Sequence, residues 1–289
     1  LAFDGWASAM DAVLSFVDVK GHDGVVPSNT FMATPLSVVK NGGNVIFGDC
    51  NKNDLCLSLD SLKSSITENT KAVIVVHIGG HIAFEIEEIA SYCRENNIFL
   101  IEDCAHAHGA SYKGRSPGDF GIAGIYSFFA TKTIPLGEGG MLVSNNEDLL
   151  DYARKWRNYG KPDYDVIGSN GRMNEVTAAF GVVQMKRIHK ILEFKRSLAV
   201  KYDAIFDNKL VLPKEMVSGY YKYIVFETEV NQETGYVYNE PCHKIMNVDK
   251  NLVNTDWVAN NHVCPPMWYG WPDADKSVDE LREILLGNK

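Results

Sequence analysis

The chain has 289 residues, 45% apolar and 22% charged, with a formal net charge of −9 and a pI near 5.4. That composition allows a globular fold with a large core, and it disfavours nucleic acid or an anionic membrane as partner, because no Lys/Arg cluster offsets the acidity. No apolar run approaches membrane-spanning length, and Cys50, Cys56, Cys93, Cys104, Cys242 and Cys264 are scattered without a CxxC pair. The expectation is free thiols in a reducing, cytoplasmic setting.

Residues 7–17 carry Met10, Val13, Leu14 and Val17 at helical spacing. Gly5 lies just before them, at a helix N-terminus whose free amides can bind an anion. Residues 24–27 read as a short buried strand. Ser28, Asn29 and Thr30 then offer capping side chains for a helix over residues 31–39. A strand over 44–47 and a helix over 59–66 follow. Residues 71–76 form a β-branched run typical of strands covered on both faces. Residues 84–95 give a helix with Ile86, Ile89, Ala90 and Cys93 on one face, and 98–101 another strand. Two more strands, over 122–129 and 140–143, precede a helix over 147–159 that ends in basic residues. Residues 174–206 read as one long, nearly unbroken helix leading into the next domain. Beyond it, residues 220–230 alternate as a strand and 278–286 are helical.

Strands and helices alternating at this spacing predict βαβ units and a three-layer αβα domain around a mostly parallel, mixed sheet. We assign that large domain to residues 1–190 and a small α+β domain to residues 191–289. Ligands in such sheets sit beyond the carboxyl ends of the strands, where residues 27–31, 77–81 and 103–108 fall.

Lys132 lies among apolar and neutral residues, with no other cation within fifteen positions on either side. Such a setting desolvates the amine, lowers its pKa and frees it for Schiff-base chemistry. Alone, Lys132 reads as a surface lysine and Asp103 as a strand-end cap. Together with Ser127 and the Gly5 amides they supply an amine, a carboxylate and an anion cradle, the set that an aldehyde-bearing pyridinium cofactor requires. Cys104, His106 and His108 offer a metal reading, since alternate residues on an extended segment share a face. That set needs a fourth ligand, and no second cluster supplies one. No GxGxxG follows a strand, which weighs against a nicotinamide cofactor.

Six motifs then occur in order: Pro27-Ser-Asn-Thr-Phe-Met-Ala-Thr34, Glu102-Asp-Cys-Ala-His-Ala-His-Gly109, Ser127-Phe-x-x-x-Lys132, Gly137-Glu-Gly-Gly140, Arg157-Asn-Tyr-Gly160 and Gly168-x-Asn-x-Arg-Met173. On these the chain resembles the DegT/DnrJ/EryC1/StrS sugar aminotransferases, within the fold-type I pyridoxal 5′-phosphate (PLP) enzymes, over most of residues 5–190. The resemblance implies an aspartate-aminotransferase-like large domain. It implies that Lys132 forms the internal aldimine with PLP and shuttles a proton between donor and acceptor carbons. It also implies that Asp103 pairs with the pyridinium nitrogen, Phe31 stacks on the ring, and Ser127 with the amides near Gly5 and Trp6 binds the phosphate. Asn170, with Arg172 in the same motif, would reach the cofactor of a neighbouring subunit in a homodimer with shared active sites. The implied reaction moves an amino group from an amino acid, usually L-glutamate, to a keto group of a nucleotide-linked sugar.

The chain departs from the family in four places. His106 stands where glutamine is usual, near the cofactor's phenolic oxygen, and can also donate there. Gly5-Trp6 replaces Gly-Thr or Gly-Ser, which keeps an amide and loses a hydroxyl. The family's stretch before the phosphate loop is missing, and the segment between Val230 and Tyr236 is short. These departures motivate a second reading, a PLP-binding regulatory or inactive homologue without turnover. A metal-dependent enzyme using Cys104, His106 and His108 is the third. Past residue 190 the resemblance thins to residues 218–226 and 240–243, with His243 as a substrate contact.

Overall fold

The structure, a computed structural model, describes residues 1–287. A seven-stranded sheet forms its centre. In chain order its strands are β1 (Ala2–Phe3), β2 (Asp23–Pro27), β3 (Asn44–Gly48), β4 (Thr70–Val76) and β5 (Phe99–Asp103). The short β6 (Ser111–Tyr112) lies outside this sheet, and β7 (Ala123–Ser127) and β8 (Gly140–Val143) complete it in the order β1-β8-β7-β5-β4-β2-β3. Strands β3, β2, β4, β5 and β7 pair in parallel, while β8 and β1 close one edge antiparallel. The expected mostly parallel, mixed sheet is therefore present.

The period-two alternation of each strand builds the three layers. Val25, Val73, Val75 and Leu100 point to one face and pack with Leu62 of α3 (Leu59–Ser65) and Ile86, Ile89 and Cys93 of α4 (Ile86–Glu95). Val26, Ala72, Ile74, Ile101 and Ile125 point to the other. There they meet Met10, Val13 and Leu14 of α1 (Trp6–Phe16), Val38 of α2 (Ala33–Lys40), and Leu149 and Ala153 of α5 (Glu147–Trp156). Each Val, Leu, Ile and Met among these contributes about 1.5–3 kcal/mol on burial. All six cysteines are free and buried. Among the described residues no helix is long and apolar enough to cross a membrane.

The expected long helix over residues 174–206 is two helices, α6 (Glu175–Met185) and α7 (Ile188–Asp203). At the break Arg187 N–H bonds to the Gln184 carbonyl, a tighter i to i−3 turn, and Gln184 Nε2 is held by the Pro135 carbonyl. The helix expected from residue 31 begins at Ala33 without a side-chain cap. Its presumed caps are engaged elsewhere: Ser28 with His243, Asn29 with the Leu55 carbonyl, and Thr30 with Thr34.

The C-terminal part holds a third core, where Leu198, Tyr202 and Phe206 meet Tyr223, Val225, Val263, Trp271, Leu281 and Leu285. Here β9 (Met216–Val217) pairs with β6, and β10 (Val225–Phe226) with β11 (His262–Val263). The strand expected over residues 220–230 is only those two residues of β10. Tyr220 and Glu227 take positive φ, and the segment before β10 bonds instead to the turn of the large layer, Gly219 N–H to Gly80 O and Lys222 N–H to Gly79 O. Three helices complete the C-terminal part, α8 (Cys242–Ile245) and α9 (Val253–Asn261) before β11 and α10 (Val278–Leu286) after it. Cys242 and Leu252 pack into the core beside α1, whereas Val258 and Cys264 join the core beside α4.

Candidate active site

Adjacency of β5 and β7 brings distant parts of the chain together. Asp103 ends β5 and Ser127 ends β7, its parallel neighbour. Both line a cavity of about 520 Å3 with Gly5, Trp6, Phe31, His106 and Lys132. Seven of the ten site residues expected from sequence thus share one cavity at the carboxyl ends of the strands. The N-terminus of α1 opens onto it, and its N-cap Gly5 has extended backbone with no side-chain cap, so the first amides are free for an anion.

Lys132 Nζ makes no hydrogen bond or ion pair among the described residues and lies 5.0 Å from the Tyr221 ring centroid. Burial pulls its pKa down to about 8, against the opposing pull of the Asp103 charge. A large fraction of the amine is therefore neutral near that pH. Burial raises the pKa of Asp103, while the Ala105 N–H, the Lys132 charge, and the Trp6 and Thr34 donors hold it back. Oδ1 of Asp103 accepts from Trp6 Nε1 and Ala105 N, each at 3.0 Å, and Oδ2 accepts only from Thr34 Oγ1, at a longer 3.3 Å.

The His106 ring lies near-parallel to Tyr221 at 4.1 Å and to Tyr238 at 5.8 Å between ring centroids. Burial, then the Lys132 charge, lowers its pKa well below the usual value, so the ring is neutral. Its Nε2 is 3.4 Å from Tyr238 Oη, and its buried Nδ1 has no partner. An orphaned buried ring nitrogen in a cavity wall is a polar group that lacks a ligand atom.

Three expected site residues lie elsewhere. Asn170 and Arg172 are exposed, and Arg172 Nε donates to Asn170 Oδ1 at 3.1 Å. His243 is buried against Ser28, with Nδ1 2.7 Å from Ser28 Oγ, and is a packed residue rather than a wall of the cavity. The metal reading of Cys104, His106 and His108 fails on geometry. After β5 the chain turns twice, with Ala107 N–H bonded to Cys104 O and Ala110 N–H to Ala107 O, so alternate residues do not share a face. Cys104 Sγ lies against the Glu102 carbonyl, and His108 packs on Tyr126 and Phe128 with both nitrogens unpartnered.

Sequence reasoning missed Tyr221, Tyr238 and Lys222 as walls of the site. Tyr221 and Lys222 fall in the residue 218–226 motif, and that was the available signal. It also missed the indole bond to Asp103. Replacing Trp6 by Phe keeps the aromatic wall and removes one donor to the carboxylate. The Asp103 titration should then move up, since the charged form loses a hydrogen bond that stabilises it. Infrared titration of the carboxyl band, assigned with Asp103→Asn, checks this; an unmoved titration would show that the indole does not tune the acid.

The sequence model of the DegT/DnrJ/EryC1/StrS aminotransferase family matches residues 2–281. The chain belongs to this family. Among relatives, a GDP-perosamine synthase of Vibrio cholerae is 37% identical over 188 residues, 63% of this chain and 51% of that protein. A dTDP-4-dehydro-2,3,6-trideoxy-D-glucose 4-aminotransferase of Saccharopolyspora spinosa is 31% identical over 292 residues, covering 88% of this chain and 75% of the relative. The crystal structure of the aminotransferase TlmJ from Streptoalloteichus hindustanus superposes with a TM-score of 0.88 at 25% identity, over 98% of this chain and 84% of that one. This member of the DegT/DnrJ/EryC1/StrS family thus spans about half the length of its Vibrio relative. Its sheet is that of an α/β aminotransferase fold.

Proposed function

We propose that this chain binds PLP in the cavity around Lys132 and transfers an amino group from an amino acid, with L-glutamate the expected donor, to a keto group of a nucleotide-linked sugar. The observation that carries this reading is the meeting of Asp103, Lys132 and the α1 N-terminus in one cavity. The residues fit the group. Lys132 would hold its aldehyde, Asp103 Oδ2 its ring nitrogen, and the amides at Gly5 to Ala7 with Ser127 Oγ its phosphate. Phe31 would cover a ring face, and the unpartnered nitrogen of His106 suits its phenolic oxygen. When bound, this cofactor supplies an electron sink for the carbon that loses a proton.

The protein's own share is positioning and proton transfer. Lys132 Nζ, held partly neutral by burial, takes a proton from one carbon and returns it to another. Asp103, fixed by Trp6 and Ala105, keeps a proton on the ring nitrogen. Tyr221, whose ring lies 5.0 Å from Nζ, and Tyr238 wall the cavity beside the amine. The test is absorbance: PLP added to the protein should give a visible band that glutamate bleaches. No band at saturating PLP would remove the proposal.

We also propose that the working unit is a homodimer, joined through α6. That helix is almost wholly apolar, yet only Gln184 of it is buried; Val176 is 82% exposed, and Phe180, Val182 and Val183 about half. An apolar face of this kind on a soluble chain marks an interface. A second copy is the fitting occupant, because outward-facing Asn170 and Arg172 lie just before α6 and would be carried with it towards a partner's site. Phe180→Asp should convert the dimer to monomer in sedimentation at micromolar concentration. A wild-type monomer would contradict this assembly.

A further inference from the structure

His106 turns one ring nitrogen to another side chain and keeps the other free. Nε2 lies 3.4 Å from Tyr238 Oη, and the buried Nδ1 has no partner among the described residues. Both residues line the Lys132 cavity, although they stand 132 positions apart in the chain. The plane of the imidazole is set by Tyr221, which stacks on it at 4.1 Å between centroids with 22° between the planes. What the stacking leaves open is which nitrogen carries the proton. The ring is neutral, because burial and then the Lys132 charge hold its pKa well below the usual value. One nitrogen therefore donates and the other accepts.

Two proton arrangements fit the contact with Tyr238. If Nε2–H donates to Oη, the Tyr238 hydroxyl hydrogen has no acceptor among the described residues, and Nδ1 keeps a bare lone pair. If the hydroxyl donates to Nε2, that hydrogen is satisfied and the imidazole proton sits on Nδ1. The second arrangement leaves one open group where the first leaves two. Tyr238 is equipped to donate. Burial, then the Asp103 charge, raises its pKa well above the usual value, against the pull of the Phe31 amide, so it stays a phenol.

We propose that Tyr238 is a positioning residue whose hydroxyl holds His106 in the Nδ1–H tautomer, so that the ring offers one fixed donor to an oxygen anion in the cavity. On the transaminase reading above, that oxygen is the phenolic oxygen of PLP. The opposite tautomer would face it with a lone pair and repel it. A glutamine at position 106 would donate through its own amide and would need no such partner. A histidine needs a second residue to choose its nitrogen, and Tyr238 meets that need.

Nitrogen NMR of the full chain, isotope-labelled at its histidines and assigned with His106→Gln, reads the tautomer directly. Wild-type His106 should carry its proton on Nδ1. Tyr238→Phe keeps the ring and removes only the hydroxyl, and should move the proton wholly or partly to Nε2. Absorbance titration with PLP reads the consequence. Tyr238→Phe should weaken PLP about threefold or more, the size expected from losing one hydrogen bond. In a His106→Gln background the same change should leave PLP affinity where it was. The proposal is overturned if wild-type His106 is protonated on Nε2, or if Tyr238→Phe leaves the tautomer or the PLP affinity unchanged. Equal weakening in both backgrounds also overturns it, since Tyr238 would then act by packing alone. A wild type that shows the Nδ1–H tautomer and binds no PLP overturns the transaminase reading and not the tautomer.

Discussion

Lys132→Ala should abolish the visible band formed with PLP and lower amino transfer by about 10^3-fold or more, since positioned acid–base groups contribute typically about 10^2–10^4 and in the proposed reading this one would also anchor the cofactor. The fold should survive, because Lys132 makes no hydrogen bond among the described residues and releasing a buried ammonium removes a desolvation cost. The pH dependence follows from the lowered pKa. With the amine titrating at about 8, attachment of PLP to wild type should speed up as pH rises through 7 to 9 and level off above. A solvated lysine would still be gaining at pH 10. Stopped-flow absorbance across that range, on wild type and variant, checks both parts. A variant that kept the band and its bleaching by glutamate would place the chemistry on another residue.

Glu102→Ala should be the most destabilising single change at the site, and it touches no cofactor. Glu102 is fully buried next to Asp103, and its carboxylate accepts from Gly118 N at 2.8 Å, Phe120 N at 2.7 Å, Gly121 N at 2.6 Å and His77 Nε2 at 2.9 Å. It latches the loop before β7 onto the end of β5. Truncation leaves three backbone donors and a histidine without their acceptor and opens a void, for a cost of about 3–5 kcal/mol. That corresponds to a fall in Tm of about 10 °C for a chain of this size. Glu102→Gln keeps one carbonyl oxygen for two of the amides, so it should fall between wild type and Ala. Thermal unfolding of the three proteins tests the order; equal Tm values for Ala and wild type would mean that the loop is held by other contacts.

The sheet was legible because its strands are β-branched runs of the right length, as in β4, whereas the helix caps that form are not the ones at Ser28 to Thr30 expected from sequence. Ser58, Asn146, Asn174 and Ser277 each accept a backbone N–H three residues on, and Ser277 with Glu280 forms a full capping box. The break between α6 and α7 was not legible, since Met185 to Ile188 contains neither Gly nor Pro and the turn depends on the contact of Gln184 with Pro135. Residues 220–230 alternate like a strand, but bonds to Gly79 and Gly80 hold their start and leave β10 two residues long.

The candidate site divides in the same way. Asp103 and Lys132 stood out by local setting, a carboxylate closing an apolar strand and a lysine with no other cation within fifteen positions. The indole on Asp103 and the stacking of Tyr221 and Tyr238 on His106 join residues far apart in sequence, so no local pattern encodes them. Ser28 likewise looked like a cap and instead holds His243, a residue that motif position alone suggested as a substrate contact.

The central claim is that Lys132, among several desolvated lysines, carries the cofactor. Lys195 also titrates near 8 and sits in an adjoining cavity with Lys222, so both are internal competitors. The measurement is to incubate the full chain with PLP, reduce with borohydride, digest it and locate the pyridoxyl mass. The structure predicts modification of Lys132 in stoichiometric yield and none in Lys132→Ala. Label on Lys195 or Lys222, or an unlabelled chain at saturating PLP, would contradict it.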